Sequence, residues 1–409
     1  MKNYYFDNAA TTQIDDNVLK EMVPYLTSNY GNASSTYEIG RISREAIEKS
    51  RNIISKIINS KASEIYFTSG GSESDNTALR GIASAYKHKG NHIITSQIEH
   101  PAILETCKYL EKHGFAVTYL PVDEHGLINL ETLENSITNS TILISIMFAN
   151  NEIGTIEPIK RIGEIAHKHN VVFHTDAVQA IGNVKIDVKE MNIDALSLSG
   201  HKFYGPKGIG ALYINEKIHF DKLIFGGHQE KNMRAGTENV AGIVGMSKAL
   251  ELADAQFENH TEYIKYLRNY IIENLQKDIP NIKINGDLVN RLPGNVNVSF
   301  KNINGNKILL DLDEKKICVS TGSACSSSSN NVSHVLKAIN VPEDYINGSV
   351  RITIGKNNTK EEVDYLLYHI KNIIRRESWK SRIFSFLTHY YLPILYEKLF
   401  SYRKPYIIY

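Results

Sequence analysis

Between residues 65 and 214 the chain alternates short β-rich runs with helix-length segments, and this rhythm limits the fold more than any other feature. Seven runs read as strands, at 65–68, 92–96, 116–121, 141–148, 171–175, 195–199 and 210–214. Helix-like segments lie between them at 74–87, 102–112, 130–136 and 159–169. Strands that alternate with helices predict a largely parallel sheet, buried on both faces. Ile142-Leu143-Ile144-Ser145-Ile146-Met147 is mostly apolar on both faces, as a central strand must be. The expected class is therefore α/β, with a large domain built on a mostly parallel seven-stranded sheet.

After about Asp254 the pattern changes. A long helix at 257–277 is followed by strands at 295–300, 317–320 and 349–354, with helices near 331–339 and 360–374. This reads as a smaller α+β domain. The expected division is 13–254 for the large domain, 1–12 with 255–376 for the small one, and 377–409 as a tail. The tail is crowded with aromatic residues from Trp379 to Tyr409, with Lys380, Arg382, Lys398, Arg403 and Lys404 interleaved. That mixture suits packing on the protein's own body, a partner, or a membrane surface. Pro393 interrupts any single long helix there.

Composition removes several classes of function. With 409 residues the chain suits two or three domains. Lys plus Arg (46) nearly balance Asp plus Glu (45), so no global basic field drives nucleic-acid binding. The three cysteines, Cys107, Cys318 and Cys325, form no CxxC pair and no zinc-spaced cluster, so no metal site is expected. So sparse a set suits a reducing compartment. The first residues lack the apolar core of a signal peptide, and no apolar run is long enough to span a bilayer, which makes the cytoplasm the expected location.

Three short segments carry chemistry. In Phe67-Thr68-Ser69-Gly70-Gly71-Ser72 a strand ends, a glycine turn follows and a helix begins. Free N–H groups and a positive dipole end there suit a phosphate, although Ser72 or Ser74 could equally be an ordinary N-cap. The Gly-Lys-Ser/Thr ending of a Walker loop is missing. Asp176, in His174-Thr175-Asp176-Ala177-Val178-Gln179, ends a buried strand, where ligands gather in α/β sheets. It could hold a metal, a base or a protonated ring nitrogen, or simply cap a helix. Lys202, in Ser199-Gly200-His201-Lys202, follows another buried strand among glycines. A lysine desolvated in a pocket can serve as a Schiff-base nucleophile, although most lysines are surface residues. Together the three supply a phosphate cradle, an acid for a pyridinium nitrogen and an amine for an aldehyde, which is the set pyridoxal 5′-phosphate requires.

Those strings, with Glu99-His100 and Asn150-Asn151-Glu152-Ile153-Gly154, resemble the cysteine desulfurases of the NifS/IscS type. These are fold-type-I pyridoxal-phosphate enzymes of the class-V aminotransferase family, and the resemblance runs from about Tyr4 to Ile374. It implies that Lys202 binds the cofactor covalently, that Asp176 pairs with the ring nitrogen, and that His100 stacks on the ring and assists proton transfer. Gln179 and Asn151 would bond the ring's phenolic oxygen or help place substrate. Gly71, Ser72, Ser199 and His201 would take the phosphate, joined by Thr237 across a homodimer. Where the family commonly has Gly-Ala-Thr, this chain has Gly70-Gly71-Ser72, which keeps the hydroxyl and loses a methyl.

Cys325 sits in Thr321-Gly322-Ser323-Ala324-Cys325-Ser326-Ser327, a composition that favours a mobile, accessible loop. Cys107 and Cys318 fall in helix-like and strand-like runs and read as structural. The resemblance makes Cys325 the residue that takes sulfur from L-cysteine as a persulfide, leaving alanine. The sulfur would pass to an iron–sulfur scaffold or to another acceptor such as one for tRNA thiolation. Arg351 would grip the substrate carboxylate, and Asn32 would lie near the substrate, with Ala33 where the family often has Pro. Selenocysteine lyase, another class-V enzyme and a non-catalytic docking platform for sulfur acceptors are the alternatives.

Overall fold

The structure, a computed structural model, describes residues 3–321 and 332–386. Its centre is a seven-stranded sheet in the order Ile65–Thr68, Gly210–Ile214, Ala195–Ser199, Val172–Asp176, Thr141–Ser145, His92–Ser96, Ala116–Leu120. The last five strands of that order pair in parallel, and Gly210–Ile214 runs antiparallel to both of its neighbours. Five of the seven are buried at every residue, because helices cover both faces. The parallel strands all end at one edge, and it is there that Ser96, Ser145, Asp176 and Ser199 lie.

The strand at 141 stops at Ser145 rather than running to 148. Beyond it Ile146 and Phe148 still donate singly to the carbonyls of His174 (3.2 Å) and Asp176 (2.8 Å) as the chain leaves the sheet for the site. Two short helices begin where side chains cap them. Asn129 caps Leu130–Asn135, and Ser333 caps His334–Ala338 through two backbone N–H groups.

A second sheet of three antiparallel strands, in the order Ser349–Thr353, Asn295–Phe300, Ile282–Ile284, is packed by the helices Phe257–Asp278 and Lys360–Phe386. Tyr4–Tyr5 pairs in parallel with Ile317–Cys318, and Phe6 belongs to this second core with Leu267, Val298, Ile352 and Leu366. Two features depart from the expected division. His334–Ala338 places Val335, Leu336 and Ile339 in the large sheet's core, beside Ile128 and Ile153. The last helix continues to Phe386 instead of ending at 374, because no Gly or Pro interrupts it. The start of the tail is thus an extension of a small-domain helix, and residues 387–409 lie outside the described ones.

Candidate active site

The phosphate cradle forms where the strand Ile65–Thr68 hands over to the helix Gly71–Tyr86. Gly70 takes φ +152°, a conformation an L side chain rarely adopts. A Cβ on Gly71 would stand 2.6 Å from Val178 Cγ2, so glycine lets this turn lie against the segment that follows Asp176. Ser199 is buried with its hydroxyl facing Gly70, while Ser72 is exposed at the helix start. Glu73 accepts from Ser69 N (2.8 Å) and from Arg234 Nε (2.9 Å) and Nη2 (3.2 Å). Burial pushes its carboxyl up, but those partners outweigh it and hold the group below the usual range. Arg234 thereby ties the loop bearing exposed Thr237 to the cradle.

Beneath the cradle Arg51 and Glu230 form a buried two-pronged pair, with both Nη–O distances at 2.8 Å, and Glu230 also accepts from Phe67 N at 2.8 Å. Sequence reading did not find this support, whose partners lie 179 positions apart.

Asp176 is buried at its strand end and accepts from Val178 N at 2.9 Å. Burial raises its pKa, and the charges of His100 and Lys202 oppose the rise. Lys202 ends a short turn, Gly200–Lys202, and its Nζ donates to the carbonyls of Ala9 (2.6 Å) and Ala10 (2.8 Å). His201 Nδ1 lies 3.1 Å from Thr11 Oγ1, and burial, aided by Lys202 and Lys207, pushes its pKa down to about 4. His100 caps the helix Pro101–Glu111, its Nδ1 accepting from Ala102 N at 3.1 Å. That bond assigns its hydrogen to Nε2. Burial lowers its pKa, Lys202 and His334 add to the fall, and Asp176 opposes it. His100, Asp176 and Lys202 are therefore close enough to feel one another's charge.

Two buried acids behind this trio carried no role in the sequence. Glu99 Oε1 accepts from Ser96 Oγ (2.7 Å) and Met147 N (3.0 Å), while Oε2 is buried without a partner among the described residues. Burial drives its pKa to about 8, against the pull of those two bonds and with a further push from Asp176. Asp75 is fully buried and held far above the normal range by burial and by Asp176. An acid in a helix or turn normally reads as a surface residue, which is why sequence gave no signal.

The opposite wall is assembled from distant segments. Asn150 Oδ1 accepts from the N–H groups of Glu152 (2.8 Å) and Ile153 (3.0 Å), shaping the turn that exposes the Asn151 carbonyl. That carbonyl accepts from Arg351 Nη1 at 3.0 Å, and Asp7 Oδ1 accepts from Nη2 at 2.8 Å. Gln179 Nε2 donates to Ala9 O at 3.1 Å, so residues 7–12 form a strap touching Arg351, Gln179, His201 and Lys202. Sequence reading gave this strap no place in the site.

Asn32 is exposed, and its bonds stay within its own loop, to Ser34 N (2.9 Å) and Ser35 N (3.0 Å). Arg44 braces the same loop through the carbonyls of Ala33 and Ser35, despite Ala33 standing in place of proline.

Cys325 lies outside the described residues, but both flanks of its segment are at the site. Arg351 and Ser320 exchange backbone bonds of 2.6 and 3.0 Å. Ser333 donates to Glu152 Oε2 at 2.6 Å, and His334 Nε2 lies 3.1 Å from Glu99 O. Cys107 is fully buried with its thiol pushed up to about 12 by burial, and Cys318 is raised by burial as well. Neither thiol is poised to ionise.

These groups fit pyridoxal phosphate. The helix at Gly71 begins with no side chain capping its first N–H groups, which suits a phosphate, Lys202 supplies an amine, and Asp176 and His100 supply partners for a ring. An α/β sheet carrying this set at its strand ends defines a fold-type-I pyridoxal-phosphate enzyme. The chain belongs to the class-V aminotransferase family, whose model matches residues 4–366. It is 54% identical over 377 residues to cysteine desulfurase IscS of Clostridium botulinum, covering 92% of this chain and 95% of that one. With cysteine desulfurase IscS of Methanosarcina thermophila the identity is 55% over 375 residues, covering 92% and 93%. Among solved structures, a NifS-like protein superposes with a TM-score of 0.87 at 40% identity, covering 91% of this chain and all (100%) of that one. SspA in complex with cysteine gives 0.77 at 39% identity, covering 88% and 100%.

Proposed function

We propose that the protein is a cysteine desulfurase that converts L-cysteine to L-alanine and collects the sulfur on Cys325. The observation that carries this reading is the meeting of Lys202, Asp176 and His100 beside a glycine cradle, with buried Arg351 bonded to the same 7–12 strap as Lys202 and both flanks of the Cys325 segment bonded at the site.

Lys202 Nζ would hold the cofactor by its aldehyde carbon, and Gly71, Ser72, Ser199, His201 and Thr237 would hold its phosphate. Asp176 would pair with the ring nitrogen and Gln179 would bond the phenolic oxygen. Pyridoxal phosphate, when bound, supplies an electron sink that makes the bonds around the substrate's α and β carbons labile. Arg351 and the Asn151 turn orient the substrate by its carboxylate. His100 holds a proton at Nε2 and can relay one only by giving up its bond from Ala102 N. Cys325, as thiolate, forms a bond to the substrate sulfur while the Cβ–S bond breaks. The electron pair stays on carbon, which takes a proton and becomes the methyl of alanine. Cysteine plus the enzyme thiol thus gives alanine plus the enzyme persulfide.

Persulfide sulfur is suited to a protein acceptor such as an iron–sulfur scaffold or a tRNA-thiolation partner. A homodimer would bring the exposed Thr237 of each subunit to the other's cradle, and the cytoplasm is the compartment we assign. No helix among the described residues is long and apolar enough to cross a membrane. Purified protein loaded with pyridoxal phosphate and given L-cysteine should release alanine and form one persulfide per chain before any reductant is added. Absence of alanine would overturn the reading.

A further inference from the structure

We infer that Asp7 is a positioning residue for substrate recognition: it holds Arg351 in the orientation that receives the α-carboxylate. This inference rests on the desulfurase reading above.

Arg351 is only 2% exposed, and a buried guanidinium needs a counter-charge. Asp7 supplies it with one oxygen, at 2.8 Å from Nη2, while the Asn151 carbonyl takes Nη1 at 3.0 Å. Among the described residues Nε is buried and has no partner. A purely structural ion pair would be expected to satisfy that donor, since an unmet buried N–H costs about 1–3 kcal/mol. The two contacts fix the plane of the fork and leave the second proton on each Nη for another acceptor. A carboxylate is the group whose geometry matches such a fork.

Asp7 is also unable to drift from its task. Its neighbours are stitched to the strand that carries Arg351: Thr353 N donates to Phe6 O (2.7 Å), Asn8 N to Thr353 O (3.3 Å) and Ala9 N to Thr353 Oγ1 (2.9 Å). The carboxylate and the guanidinium therefore ride on one paired unit. Asp7 stays beside Arg351 when substrate arrives and shares the cation rather than being expelled. The side chain of Asp7 is 17% exposed, so it borders the open part of the site.

The test compares L-cysteine with L-cysteine methyl ester, which lacks the charged carboxylate, using the full-length protein loaded with pyridoxal phosphate. KM and kcat are measured for the parent, Asp7→Ala, Asp7→Ser and Asp7→Asn, with Arg351→Ala setting the scale. The serine side chain is too short to reach Nη2, whereas asparagine keeps an acceptor at Oδ1. For Asp7→Ala and Asp7→Ser, KM for L-cysteine should rise about tenfold, the value of one charge-assisted hydrogen bond. KM for the ester should stay within about twofold and kcat within about threefold, so the preference for the free acid shrinks about tenfold. Asp7→Asn, which keeps the acceptor and loses the counter-charge, should fall between the parent and Asp7→Ala. An unchanged preference in both Asp7→Ala and Asp7→Ser, or equal shifts for both substrates, would overturn the inference. A parent that releases no alanine from L-cysteine overturns the desulfurase reading instead, and the inference with it.

Discussion

The two walls of the site are built in different ways. The cofactor wall comes from strand ends of one sheet: Gly70 and Gly71 after Ile65–Thr68, Asp176 closing Val172–Asp176, and Lys202 three residues beyond Ala195–Ser199. Each of its functional groups follows its strand within a few residues. The substrate wall is gathered from the strap 7–12, the turn at 150–153, the strand Ser349–Thr353 and the two flanks of the Cys325 segment, with Asp7 and Arg351 lying 344 positions apart. A wall built on the strand ends of one sheet shares the rigidity of that sheet. A wall made of remote pieces depends on the small domain being docked, and it is the wall that must admit substrate and let sulfur leave.

Four substitutions probe that contrast, beginning with the largest effect. Lys202→Ala should reduce alanine release by at least about 10³-fold while leaving the substrate wall folded, as removal of a group central to the chemistry does. Retained turnover would break the assignment of the cofactor wall. Glu230→Ala should strand Arg51 in the core under the cradle and destabilise the protein by about 3–5 kcal/mol in urea unfolding. A loss under 1 kcal/mol would show that the cradle does not rest on this pair. Gly71→Val puts a branched side chain where even a Cβ would stand 2.6 Å from Val178 Cγ2, and overpacking of this kind costs about 1–3 kcal/mol. Its expected result is a roughly tenfold weaker affinity for pyridoxal phosphate, measured by titration of the apoprotein, with KM for cysteine little changed once the site is loaded.

The smallest effect concerns Glu99, behind the meeting point of the two walls. Folding raises its carboxyl from 4.5 to about 8, so in that window the folded chain keeps a proton that the unfolded chain has shed. Its contribution is therefore complete below the unfolded pKa and is lost as pH rises through about 8. Glu99→Gln should remove this share, so the parent should lose about 1 kcal/mol or more relative to the variant between pH 5 and pH 8.5. Parallel stability profiles would show that Glu99 is already ionised in the folded protein.

What the sequence revealed follows the same division. Gly71, Asp176 and Lys202 were legible because a buried strand followed by a turn is a local pattern, and the seven strands were found within a few residues of their observed ends. Asp7 was not legible, because nothing near it in the chain shows that it meets Arg351. Glu99 and Asp75 hide because carboxylates in helices and turns are usually solvated, and only the fold seals these in. The strand Ile282–Ile284 is too short to carry a period, and Val335, Leu336 and Ile339 give no sign of which core they will join. The helix end was misplaced because periodicity weakens before Phe386 while no breaker stops the helix.

The most direct test of the central claim is residue-resolved mass spectrometry of the loaded protein after brief exposure to L-cysteine, with free thiols capped before digestion. One extra sulfur on Cys325, with Cys107 and Cys318 unmodified and alanine formed in equal amount, is the predicted result. Sulfur on Cys107 or Cys318 instead, or alanine formed at the parent rate by Cys325→Ser with a persulfide elsewhere, would contradict it.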